Sequence, residues 1–152
     1  MYRAELQKLE GVWTGTERVD GDGAQYEATG RWDFHTIFDG RFLLCDYIQT
    51  APDRPTSLGH GVFRKDDRTG ALTVSWFRSP GPTASQQGDG VAEGDKLIFV
   101  ETVGETSTRT TYSVALNRLT VITERATNGK NAKPEDSEWK SIFEGSYRRP
   151  RG

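Results

Sequence analysis

Two histidines and one cysteine are all that this 152-residue chain offers to transition-metal or thiol chemistry. They stand apart as His35, Cys45 and His60. A zinc site needs three or four converging ligands, ordinarily including a close-spaced pair. No such pair exists, so no metal is expected. A lone cysteine excludes an intrachain disulfide and fits a reducing compartment. Long apolar runs are missing too, and nothing approaches the roughly 20 residues of a membrane-spanning helix. Residues 1–6 hold no apolar segment of a secretory signal. A cytoplasmic location without a membrane partner is the expectation. Charge of one sign is also lacking: 20 Lys and Arg stand against 22 Asp and Glu. With a formal net charge of -2 there is no basic field to hold nucleic acid, and none is expected as a partner. The cluster Arg148, Arg149 and Arg151 reads as a solvated tail.

Catalytic signatures are equally scarce. Ser79, in Phe77-Arg78-Ser79-Pro80-Gly81, lacks the first glycine of a nucleophile elbow, and Pro80 removes an amide that an oxyanion hole would use. The run from Gly88 to Gly94 has the wrong glycine spacing for a dinucleotide loop. Asp20-Gly21-Asp22-Gly23 fails as a calcium loop, because the positions for its glycine and bidentate glutamate fall on Gln25 and Arg31. It is a turn. No catalytic residue and no cofactor are assigned.

What is present is a succession of short strands. Only 34% of the residues are hydrophobic, but aromatics reach 11%, and each ring carries a large apolar surface into a core. The 17 glycines punctuate apolar runs rather than clustering, as turns do. Residues 2–9 form one or two helical turns, with Leu6 and Leu9 on one face. Strands follow over residues 12–19, 26–38, 41–50, 57–65, 71–78, 85–92, 96–103, 107–115, 118–126 and 138–148. Residues 127–136 make a longer polar loop, and Ser79-Pro80-Gly81-Pro82 breaks the chain. About ten strands with turns at regular spacing, and no helices between them, indicate one all-β domain.

Gly11-Val12-Trp13-Thr14-Gly15 resembles the opening Gly-x-Trp of lipocalins and the Gly-x-Trp-x-Gly of nitrobindins. Four further motifs occur in order: Phe38-Asp39-Gly40-Arg41-Phe42, Gly59-His60-Gly61-Val62-Phe63, Trp76-Phe77-Arg78-Ser79-Pro80-Gly81 and Gly145-Ser146-Tyr147-Arg148-Arg149. With them the chain resembles an uncharacterised bacterial family distantly similar to calycins. The resemblance implies a single up-and-down antiparallel β-barrel of about ten strands, residues 1–152, around a cavity, and it implies no activity. Where relatives tend to carry an acidic residue after the Trp-Phe pair, this chain has Arg78. The lipocalin likeness implies that Trp13 closes one end of the barrel beneath Arg148 or Arg149. Nitrobindins draw an axial histidine from near the C-terminal end of the barrel. Residues 61–152 contain no histidine, so haem binding in that manner is not expected.

Period-two patterning then suggests a pocket wall. Tyr26, Ala28, Gly30, Trp32, Phe34 and Thr36 share one face. Leu43, Cys45, Tyr47 and Gln49 share another, as do Leu72, Val74, Trp76 and Arg78. In the strand between these two, Leu58, His60, Val62 and Arg64 share a face. If these faces line the interior, Trp32, Tyr47, His60, Trp76 and Arg78 bind a small hydrophobic or amphipathic molecule. An ordinary filled core is the alternative, since barrels of this size are hollow or packed. Two rival functions remain. One is an enzyme using His60 as acid or base, with a carboxylate or the Cys45 thiol beside it. The other is a non-catalytic homodimer joined through sheet edges or an apolar face. Arg109 and Glu124 are expected to form a structural cross-strand pair.

Overall fold

The computed structural model describes residues 4–20, 24–81, 85–127 and 138–150. The turn at 20–23, the breaker ending at Pro82, the loop at 127–136 and Arg151 lie wholly or partly outside them. A helical turn, α1 (Ala4–Gln7), is followed by β1 (Gly11–Asp20), β2 (Gln25–Ile37), β3 (Phe42–Thr50), β4 (Ser57–Lys65) and β5 (Leu72–Ser79). Then come β6 (Gln86–Glu93), β7 (Lys96–Val103), β8 (Thr106–Ala115), β9 (Arg118–Thr127) and β10 (Lys140–Arg148). Each strand pairs antiparallel with its sequence neighbours, and β1 also pairs with β10, which closes the barrel. Closure leaves no unpaired sheet edge.

The tight hairpins account for the meander. Gly40, Gly70, Gly94 and Gly104 all hold positive φ in the connections, a backbone region open to glycine at no steric cost. Alternation along the strands then sorts side chains inward and outward. On β2, Ala28, Trp32 and Phe34 are buried, as the pattern predicts. On β3, Leu43 and Cys45 are fully buried. On β5, Leu72, Val74 and Trp76 are buried.

One end of the barrel is sealed. Leu6 and Leu9, at and just beyond α1, tuck into it beside Trp13, all three buried. The Trp13 indole Nε1 donates to the Leu9 carbonyl at 2.9 Å. From the end of β10 the Arg149 guanidinium lies 4.0 Å from the centre of the Trp13 ring, and its Nη1 donates to the Glu10 carbonyl at 2.6 Å. A cation over an indole contributes roughly 0.5–2 kcal/mol. Of the two arginines expected above Trp13, Arg149 fills the role. Farther in, Phe63 sits edge-on to Phe99 at 5.4 Å and to Tyr112 at 5.7 Å, so this half of the interior is packed with rings.

On the outer surface, Arg109 and Glu124 form the cross-strand pair. Nε of Arg109 donates to Oε1 of Glu124 at 3.0 Å, while the guanidinium covers the Trp139 ring at 4.3 Å.

Candidate functional site

The opposite half of the barrel is hollow. A cavity of about 400 Å³ runs inward from the ends of β3 and β5 and the starts of β4 and β6. That volume lies within the range of small-molecule pockets. Four of the five residues expected to bind a ligand line it: Trp32, Tyr47, Trp76 and Arg78. Trp32 sets the geometry. Its ring lies 4.3 Å from that of Tyr47 and meets Trp76 and Tyr112 edge-on at 6.2 and 5.9 Å.

The fifth, His60, does not join them. The inward face of β4 is Gly59, Gly61 and Phe63, opposite Tyr47, Cys45 and Leu43 in the β3 register. His60 pairs with Asp46 across β3 and Phe77 across β5, all on the outer face. Its Nδ1 is 2.8 Å from Asp46 Oδ1, and the imidazole is 42% exposed. The histidine therefore has a carboxylate partner but no access to the cavity, and the reading of His60 as the cavity's acid or base is corrected. Cys45 points inward while His60 points outward, so the two make no nucleophile–base pair.

The reason for the inversion is the space that Trp76 requires. A Cβ at Gly61 would stand 2.9 Å from the Trp76 ring. Only a residue without a side chain fits beneath that indole, so the glycines of β4 take the inner face and the larger residues between them are turned outward.

At the mouth, Arg78 is half exposed, and its guanidinium lies 5.3 Å from the Trp76 ring centre. It donates to the side-chain amide oxygen of Gln86 and stands 3.9 Å from Glu101, which is largely buried. Thr108, Thr110 and Thr123 add hydroxyls along the β8–β9 side. On β10 a β-bulge between Ser141 and Phe143 breaks the alternation, and both Ile142 and Phe143 line the cavity.

Beneath Tyr47 lies a carboxyl group that the sequence reading passed over. Glu17 on β1 is 3% exposed, inside the barrel. The Tyr47 hydroxyl donates to it, lying 2.8 Å from each carboxylate oxygen. The Tyr147 hydroxyl donates to Oε2 at 2.6 Å and the Gln49 amide to Oε1 at 3.0 Å. Burial raises the Glu17 carboxyl above its ordinary value, while the hydrogen bonds from Tyr147, Tyr47 and Gln49 oppose the rise. Its carboxylate occupies the place where a Cβ at Gly30 would stand. Parity with Trp13 was the available signal: residues 13, 15, 17 and 19 share a face, which places a carboxylate inside. Close by, the buried Trp32 indole N–H meets no acceptor in hydrogen-bond geometry among the described residues.

These features define a closed ten-stranded antiparallel barrel, plugged at one end and hollow at the other, with aromatic walls around a buried polar cluster. The chain belongs to the family described as "Protein of unknown function (DUF1579)", whose profile matches residues 2–149. No curated protein matches the sequence. Among solved structures it is similar to Rv2717c from M. tuberculosis, with a TM-score of 0.70 and 17% identity over 99% of this chain and 98% of that one. That likeness concerns the fold.

Proposed function

We propose that the protein binds a small amphipathic molecule in the open half of the barrel. The carrying observation is the cavity of about 400 Å³, walled by Trp32, Tyr47, Trp76 and Tyr112. A filled barrel would have no use for an aromatic wall beside empty space, because unoccupied apolar volume forfeits dispersion contacts. Rings supply stacking surfaces for an apolar or aromatic body, and Arg78, Gln49 and the threonines supply polar contacts that fix its orientation. The Arg78 guanidinium, half exposed at the mouth, keeps N–H donors for a polar end of the ligand. A fully buried free thiol at Cys45 suits a cytoplasmic setting.

Native mass spectrometry of protein purified without denaturant tests this reading, followed by fluorescence titration with 2-naphthoate, for which Trp32 and Trp76 are built-in reporters. Retained small molecules, or saturable quenching by the probe, are expected. A Thr110→Trp variant, which fills the cavity, should abolish the quenching. Protein that emerges empty, with fluorescence unmoved by the probe, refutes the proposal.

A further inference from the structure

This inference rests on the reading of the cavity as a binding site and concerns the chemistry it selects. The Glu17 cluster can be followed proton by proton. From β3, the Tyr47 hydroxyl and the Gln49 amide donate to the carboxylate, and from β10 so does the Tyr147 hydroxyl. The Gln49 amide also donates to the Tyr47 oxygen at 3.0 Å. On β2, Gly30 lies against the carboxylate, and the Tyr26 hydroxyl stands one step back, donating to the Gln49 side-chain oxygen Oε1 at 3.4 Å. The charged groups of the same β1–β10 pairing on the outer face, Arg18 and Glu144, pair with each other at 3.1 Å. Among the described residues the direct partners of Glu17 are thus two phenols and an amide, not a cation.

This pattern is satisfied for the ionised carboxylate, which accepts every proton aimed at it. Adding a proton to Glu17 changes the count. One carboxyl oxygen becomes a donor and needs an acceptor. With the Tyr26 hydroxyl on its side-chain oxygen, Gln49 keeps its N–H toward Glu17, and the acceptor at hand is a tyrosine oxygen of the cluster. That tyrosine must then send its own proton elsewhere. Tyr147 is fully buried among rings. Tyr47 lines the cavity. The displaced O–H therefore emerges at Tyr47, pointing into the empty volume.

We propose that the cavity selects an aromatic molecule bearing a hydrogen-bond acceptor, such as a carboxylate, carbonyl or phenolate oxygen, seated on the Tyr47 hydroxyl, and that Glu17 takes up one proton from solvent as it binds. No covalent bond is made or broken. The proton moves from water to Glu17, and the Tyr47 hydroxyl turns from Glu17 to the ligand. Both phenols keep their protons, since burial, reinforced by the Glu17 charge, raises Tyr47 and Tyr147 far above the ordinary phenol range. Burial also raises the Glu17 carboxyl, which brings its proton within reach of binding.

Isothermal titration calorimetry tests the coupling, with 2-naphthoate as acceptor probe and naphthalene as the control without an acceptor. Run in buffers of contrasting ionisation enthalpy, it reports protons taken up per ligand bound. At a pH where Glu17 is ionised in the free protein, the wild-type protein is expected to take up close to one proton with 2-naphthoate and none with naphthalene. Glu17→Gln should bind 2-naphthoate with no uptake. Tyr47→Phe should lose about tenfold in 2-naphthoate affinity, the scale of one hydrogen bond, and keep its affinity for naphthalene. Binding of 2-naphthoate by the wild-type protein without proton uptake, or equal uptake by Glu17→Gln, overturns the proposal. If neither probe binds, or if Thr110→Trp leaves binding intact, the cavity reading itself falls and the inference with it.

Discussion

The Trp76 indole lies across Gly61, so close that a methyl group on residue 61 would come within 2.9 Å of its six-membered ring. The neighbouring Gly59 is less crowded, with its nearest atoms at 3.5 Å on Trp76 and Tyr47. The two glycines therefore predict unequal outcomes. Gly61→Val should drive Trp76 off its position and destabilise the barrel by roughly 1–3 kcal/mol, the usual cost of overpacking. Gly59→Ala meets ordinary van der Waals contact and should cost much less. Urea midpoints of the two variants, with near-ultraviolet circular dichroism to follow the tryptophans, check the difference.

The same pair explains what the sequence could and could not convey. Strand positions, the short N-terminal helix and the inward faces of β2, β3 and β5 were legible, because period-two patterning and turn glycines are local signals. The arginine over Trp13 was implied by the lipocalin resemblance and not by any local pattern. On β4 the pattern misled. Leu58, His60 and Val62 look like a core-facing set beside glycines, but the glycines are the inward residues, and what fills their space comes from β5. A side chain borrowed from the next strand leaves no trace within the strand itself. Glu17 was missed because a carboxylate is normally assigned outward, although Trp13 fixes its parity. The β10 bulge that brings in Ile142 also breaks the alternation on which the reading depended.

Cys45 is completely buried, and desolvation, with Asp46 and Asp33 adding to it, pushes its thiol well above the ordinary range. The thiolate is the reactive form, so a thiol both shielded and kept protonated is inert. Under native conditions Cys45 should react with 5,5′-dithiobis(2-nitrobenzoate) only as fast as the barrel opens, and in denaturant at the rate of a free cysteine. Rapid stoichiometric labelling of the folded protein would contradict this placement.

Glu17 gives stability a pH dependence whose sign follows from its raised carboxyl. The native state holds the proton more tightly than the unfolded chain, so between the ordinary value of 4.5 and the raised folded value the native state carries more protons. Stability contributed by this group is fully present below 4.5 and is lost as pH rises through the folded value. Glu17→Gln removes the titration while keeping a polar side chain of similar shape. Calorimetric Tm values of the two proteins across the acid-to-neutral range should show the wild-type advantage shrinking, or its deficit growing, as pH rises. A constant difference would mean that the cluster does not bind protons differently on folding.

His60 and Trp76 separate the two faces of the β4–β5 pair. His60 is bonded to Asp46 at 2.8 Å on the outside, whereas Trp76 is buried and forms part of the cavity wall. His60→Ala should leave 2-naphthoate affinity within about twofold, since its loss affects an exposed contact worth roughly 0–1 kcal/mol. Trp76→Phe keeps a ring over Gly61 but removes stacking area, and should weaken the probe by roughly tenfold, on the scale of 0.5–1.5 kcal/mol for one aromatic pair. Urea midpoints keep stability and binding distinguishable. If His60→Ala instead lost the probe while Trp76→Phe retained it, the probe would be sitting on the outer face, and the barrel interior would have to be abandoned as the site.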